Sequence, residues 1–192
     1  MENRRKRIAI FASGRGSNAA KIMEHFSDNP HGDVALVCSN RSDAGVLGIA
    51  HQHGIASYAF DRAAFESVQP IIDRLKAEKI DLIVLAGFLW KIPDALIAEF
   101  PAGIVNIHPS LLPKFGGHGM YGKHVHEAVI AAGESYSGIT VHLVDDAYDH
   151  GARLFQARVK VEPNDTADRL AARVLELEHR YYPKVIEGLC RL

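Results

Sequence analysis

With 192 residues, 47% of them hydrophobic and 23% charged, the chain fits a single soluble domain spanning 1–192 that builds its own core without metal or disulfide. A net charge of -1 gives no global attraction to nucleic acid or to an anionic membrane. Cys38 and Cys190 lie at opposite ends and show neither metal-site nor redox spacing; the sequence has no apolar run long enough to span a bilayer and no apolar secretory segment at its start, so a cytoplasmic protein is expected.

The basic start Arg4-Arg5-Lys6-Arg7 runs straight into the apolar stretch at 7–12 and reads as a solvated strand entrance rather than a binding arm. A glycine-rich turn follows, then a short helical pattern in Ala20, Ile22, Met23 and Phe26. Residues 33–38 form a second buried strand, 43–52 a helix ended by His53-Gly54, and 55–59 a short strand. Phe65, Val68, Ile71, Ile72 and Leu75 keep helical spacing across 61–78, and Leu82-Ile83-Val84-Leu85-Ala86 is apolar on both faces, as a central parallel strand must be. A helix from Pro93 to Glu99, a strand at 103–108, a glycine-rich loop and a helix at 123–132 come next. Strands near 138–144 and 153–161 precede a last helix over 165–187 that should kink or break before Pro183. The alternation predicts an α/β fold: a three-layer sandwich around an open, mostly parallel, Rossmann-like sheet with antiparallel additions at one side.

Two stretches carry chemistry. In Gly14-Arg15-Gly16-Ser17-Asn18, two glycines let the backbone approach a ligand, and the amides opening the next helix favour a phosphate. The spacing is neither the GxGxxG fingerprint nor a Walker loop, and a plain tight turn with Ser17 as helix cap is an equal account. Arg15 points to the ligand or to water. In Asn106-Ile107-His108-Pro109-Ser110-Leu111-Leu112-Pro113, Asn106 and His108 stand two apart at a strand exit, so both side chains reach one face at the carboxyl end of the sheet. The amide donates to an oxygen becoming negative; the imidazole does so more strongly when charged and passes a proton; Asp149, after the strand carrying His142, is the carboxylate that would favour that charge. No neighbouring hydroxyl or thiol is set as a nucleophile, so the attacking group arrives on the substrate. A capping Asn106 and a rim histidine remain the plain alternative, and Asp145 and Asp146 read singly as turn residues. His118, His124 and His126 lack the i, i+4 spacing of a helical zinc pair, so no metal is expected.

On these residues, together with Ala86-Gly87-Phe88, Lys114, Thr140-Val141-His142 and Glu178-His179 followed by Tyr182-Pro183, the chain closely resembles the phosphoribosylglycinamide formyltransferases of the folate-dependent formyltransferase superfamily, over essentially its whole length. The resemblance implies the formyltransferase fold, with phosphate binding in the N-terminal half and folate binding and catalysis in the C-terminal half. It implies small-molecule partners only, glycinamide ribonucleotide and 10-formyltetrahydrofolate, the latter a consumed co-substrate, with no nucleic acid and a monomeric or homodimeric protein. Asn106, His108 and Asp149 become the catalytic set, supported by His142 and Pro109. Gly14, Arg15, Gly16, Ser17, Asn18, Lys114 and Glu178 would bind the ribonucleotide, Glu178 at the ribose hydroxyls. Phe88, Leu89, Trp90, Lys91 and Ile92 would carry the folate, with Val144, Asp145, Asp146, Ala147 and Tyr148 folding over its pterin.

Two departures stand out from the family pattern. Trp90 occupies a position where arginine is frequent beside the folate tail, with Lys91 a possible replacement and Trp90 either stacking on the folate or packing as core. The loop Phe115-Gly116-Gly117-His118-Gly119-Met120-Tyr121-Gly122 is longer and richer in glycine than usual. A formyltetrahydrofolate hydrolase, a transferase acting on initiator tRNA and a non-catalytic nucleotide- or folate-binding module are the competing readings.

Overall fold

The computed structural model describes residues 4–192. They fall into two compact units, one ending at Val105 and resuming at Ile186–Leu192, the other Asn106–Val185.

The first unit is built in chain order from β1 (Lys6–Phe11), α1 (Ser17–Phe26), β2 (Gly32–Ser39), α2 (Gly45–Gln52), β3 (Ala56–Ala59), α3 (Arg62–Ser67), α4 (Gln69–Ala77), β4 (Leu82–Leu85) and α5 (Asp94–Glu99), with β5 (Ile104–His108) leaving it. Ile8, Ala9, Ile10 and Phe11 are fully buried, which suits a strand covered on both faces. β1 pairs in parallel with β2 and β4, and β2 in parallel with β3, giving the order β3-β2-β1-β4. Ile8 faces Val34 but Ala9 faces Leu36, so Ala35 is an extra residue that bends β2 locally. α1 buries Ala19, Ile22, Met23 and Phe26, a stripe at spacings of three and four.

The single helix expected over 61–78 is two. Asp61 caps α3 by accepting from the Ala64 amide at 2.8 Å, and the chain turns at Val68, with φ 51°, before α4 begins. Pro70 explains the break. In one continuous helix it would lack the bond to the Glu66 carbonyl and crowd that carbonyl with its ring; in the first turn of α4 neither cost arises.

The second unit contains α6 (Lys123–Ala131), β6 (Tyr136–Leu143), β7 (Arg153–Lys160) and most of α7 (Ala167–Cys190), with strand order β5-β6-β7. β6 and β7 are antiparallel; Val141 faces Phe155 and His142 faces Arg153, so Leu154 is a bulge opposite the step at which His142 is presented. At Gly138 a β-carbon would collide with the Ala157 carbonyl. Gly138→Ala is expected to cost about 2 kcal/mol or more of stability, read from urea midpoints; an unshifted midpoint would contradict so close an approach of the strands.

α7 does not break at Pro183 but runs on to Cys190. Leu170, Val174, Tyr182 and Ile186, on one i+4 stripe, are all fully buried, and that burial outweighs one missing backbone hydrogen bond. The elements give the expected α/β architecture, a mostly parallel sheet flanked by helices with an antiparallel addition. Among the described residues no helix is long and apolar enough to cross a membrane.

Candidate active site

At the exit of β5 the side chain of His108 is nearly buried and Asn106 half-buried. Asp149 enters from the loop after β6 with φ 56°, and Phe115 approaches with φ 57°, two side-chain-bearing residues in the left-handed region that meet at the same imidazole. His108 Nδ1 lies 3.4 Å from Asp149 Oδ2, and its Nε2 lies 2.7 Å from the Phe115 carbonyl. The Gly117 amide donates to Asp149 Oδ2 at 2.9 Å. His142, buried on β6, places Nε2 3.1 Å from Asn106 Nδ2 and 3.6 Å from Asp149 Oδ1, and Nδ1 2.8 Å from the Leu143 carbonyl. Asn106, His108, His142 and Asp149 thus form one cluster.

The acceptors decide where protons sit. A carbonyl only accepts, so His108 carries a proton on Nε2; a second proton, on Nδ1, would face Asp149 and complete an ion pair. Burial pushes the His108 pKa down; the Asp149 charge and the Phe115 hydrogen bond push it up, and His142 lowers it again, with a net value below the ordinary one. Burial therefore outweighs the carboxylate that was expected to keep His108 charged. For Asp149, burial acts upward, but the partners His142, His108 and Gly117 outweigh it and hold the carboxyl below the usual aspartate range.

His126 is shifted down as well, by burial and then by His108. Both imidazoles bind protons less tightly folded than unfolded, so between their folded values and about 6.5 the unfolded chain holds more protons and stability rises as pH rises. His150, exposed and raised by its hydrogen bond to Asp145, opposes this only in solvent. The urea midpoint should be lower at pH 5.5 than at pH 7.5, and His126→Leu should narrow the gap; equal midpoints would show that the two histidines are not held neutral.

A polar clasp holds the loop behind the cluster. Thr140 Oγ1 donates to the Ser110 carbonyl at 2.7 Å and accepts from the Leu112 amide at 3.0 Å and from Gln156 Nε2 at 2.8 Å. Arg153 and Gln156 donate to the Leu112 carbonyl, and Ser110 Oγ to the Lys114 carbonyl. Pro109 and the cis Leu112–Pro113 bond lie in this segment. Gly116 lets it pass close to Asp149, since a β-carbon there would sit 3.2 Å from Asp149 Cβ. Lys114 turns its ammonium to Glu134 at 2.6 Å.

Sequence reasoning assigned no role to Thr140, Ser110 or Gln156, although a hydroxyl inside the apolar run of β6 was a usable signal. The Phe115 and Leu143 carbonyls and the Gly117 amide left none, because backbone groups are common to every residue type.

In the first unit, Gly16 (φ 82°) occupies the cap position of α1 and Ser17 is the first helical residue, with no side-chain cap bond. A β-carbon at Gly16 would lie 2.7 Å from Val46 Cβ, so glycine is required there. The Ala20 amide is the first to bond one turn back, to the Gly16 carbonyl at 2.8 Å, so the amides of Ser17, Asn18 and Ala19 head the helix. Gly14 and Arg15 are exposed.

After β4, Phe88 and Ile92 are buried, Leu89 is 58% exposed and Lys91 is exposed. Trp90 packs at 5.0 Å from Phe65 and near Phe60 and Phe88, with the Arg62 guanidinium 4.9 Å over its ring. In the second unit, Val144 to Tyr148 line a loop in which Asp145 accepts from the Ala147 amide and pairs with His150, as a turn residue does. Glu178 is half-buried on α7. His126 is buried while His124 faces Glu127, and among the described residues no group of three or more His, Cys, Asp or Glu is placed to hold a metal ion.

The formyl transferase family model matches residues 6–186. A phosphoribosylglycinamide formyltransferase of Arabidopsis thaliana chloroplasts is 45% identical, covering 98% of this chain and 67% of its own length; one from Vigna unguiculata is 47% identical, covering 97% and 62%. The chain therefore spans about two thirds of these plant relatives. A solved glycinamide ribonucleotide transformylase 1 of Symbiobacterium toebii superposes with a TM-score of 0.90 at 34% identity, covering 100% of this chain and 90% of that one.

Proposed function

Because the chain belongs to the formyl transferase family, we propose that it transfers the formyl group of 10-formyltetrahydrofolate to the amino group of glycinamide ribonucleotide, giving formylglycinamide ribonucleotide and tetrahydrofolate in de novo purine biosynthesis. The observation that carries the reading is the Asn106–His108–His142–Asp149 cluster, which offers donors and a carboxylate but no nucleophile of its own. The substrate amine attacks the formyl carbon; the new C–N bond forms as the carbonyl π pair moves onto oxygen. Asn106 donates an N–H to that oxygen. The negative charge growing beside His108 raises its proton affinity, so it takes a proton from water onto Nδ1, where that proton faces Asp149. The surplus proton on the attacking nitrogen passes by way of Asp149 and water to the folate nitrogen; the oxygen pair re-forms the carbonyl as the bond from carbon to that nitrogen breaks, and His108 returns its proton to water.

In this reading Gly14 to Asn18 hold the ribonucleotide phosphate, Glu178 its ribose hydroxyls, and Lys114 contributes once released from Glu134. Leu89, Trp90 and Lys91, backed by Phe88 and Ile92, and the Val144–Tyr148 loop receive the folate, which is consumed each cycle; no metal is needed when the attacking amine comes with the substrate. Monomer or homodimer, and a cytoplasmic location supported by two buried unpaired thiols, complete the proposal.

The test gives purified protein 10-formyltetrahydrofolate with and without glycinamide ribonucleotide. Ribonucleotide-dependent release of tetrahydrofolate is expected. Release without the ribonucleotide would make it a hydrolase, and binding without release a non-catalytic module.

A further inference from the structure

We propose that His142 is a positioning residue: held as a single tautomer, it sets which way the Asn106 carboxamide faces. The inference rests on the formyl-transfer reading above. A carboxamide is nearly symmetric in shape and opposite in chemistry, since half a turn about its last bond exchanges an N–H₂ for an oxygen. A growing oxyanion is stabilised by the first and repelled by the second, so something must make the two orientations unequal.

His142 is 2% exposed, so water does not supply partners to its ring. Nδ1 lies 2.8 Å from the Leu143 carbonyl, which can only accept, and this places the proton on Nδ1. Nε2 is left with a lone pair 3.1 Å from Asn106 Nδ2. An amide nitrogen donates to that lone pair; an amide oxygen in its place would set two acceptors against each other. Asp149 Oδ1 lies farther off, 3.6 Å from the same Nε2 and outside hydrogen-bond range, so the Asn106 nitrogen is the partner at this point. One Nδ2 hydrogen is committed to His142, and the second remains for the substrate oxygen. The bulge at Leu154, opposite the step from Val141 to His142, sets the ring at this point of β6. The opposite tautomer would turn the amide round and withdraw the donor. Loss of the orienting partner should therefore resemble loss of the donor itself, about 100-fold in kcat.

The test has two arms. In ¹⁵N-histidine-labelled free protein at pH 7.5, the His142 signals, identified by their loss in His142→Gln, should show a protonated Nδ1 and a bare Nε2; a proton on Nε2 would overturn the proposal. In kinetics, His142→Phe should lower kcat about 100-fold with both KM values little changed. His142→Gln, whose side-chain oxygen can accept the same Asn106 N–H, should recover much of that loss. The Asn106→Ala/His142→Phe double variant should be no slower than Asn106→Ala alone; losses that multiply, or an effect on KM alone, would overturn the proposal. If His142→Phe does not fold, the NMR result and the Gln variant still decide. A wild-type protein that transfers no formyl group would sink the functional reading, while the tautomer measurement would stand by itself.

Discussion

Asp149→Asn is expected to lower kcat by roughly 1,000-fold while leaving the affinity for either substrate within a few-fold. The substitution keeps the shape and one accepting oxygen, so the Gly117 amide at 2.9 Å retains a partner and the fold should persist. What disappears is the charge. Burial already biases His108 towards its neutral form, and the Asp149 carboxylate is the largest influence acting the other way. Without it, the imidazolium that forms as the oxyanion grows has no counter-charge at 3.4 Å, and the proton leaving the amine loses its nearest base. Steady-state kinetics paired with calorimetric binding of each substrate separate the two effects. A kcat within tenfold of wild type would mean that neither the His108 cation nor this proton route limits turnover.

Asn106→Ala comes second, with an expected loss on the order of 100- to 1,000-fold in kcat, about 3 to 4 kcal/mol of transition-state stabilisation. The reason lies in how the N–H groups are distributed. His108 directs Nε2 to Phe115 and Nδ1 to Asp149, so its contribution is charge, whereas Asn106 spends one hydrogen on His142 and keeps one. His108→Ala should therefore bind both substrates and turn over slowly, but lose less than Asn106→Ala. Measuring the two variants side by side is decisive: the reverse ranking would mean that the Phe115 carbonyl gives up His108 and an imidazole N–H, not the amide, meets the oxyanion.

The central strands were legible because burial on both faces leaves no room for polar residues: Ile8 to Phe11 and Leu82 to Leu85 read as continuous apolar runs and are buried throughout. Asn106 and His108 were legible for the opposite reason, as polar side chains two apart where an apolar strand ends. The break at Val68 was hidden because its own side chain keeps the helical spacing; the cause is Pro70, two residues on. The continuity of α7 through Pro183 was hidden because a local rule was overruled by the burial of Tyr182 and Ile186. Trp90 shows a third kind of gap: its packing against Phe65 and under Arg62 depends on residues 25 and 28 positions away, which no local pattern reports.

The two site histidines are each fixed by a main-chain oxygen, His108 by that of Phe115 and His142 by that of Leu143. Point mutation replaces side chains and leaves peptide carbonyls in place, so the proton arrangement of this site is shielded from ordinary drift at positions 115 and 143. Only a change in chain length or backbone path can move those oxygens. Evolutionary retuning of the protonation here should accordingly be written in insertions and deletions around residues 115–122 and 144–150, and only secondarily in substitutions.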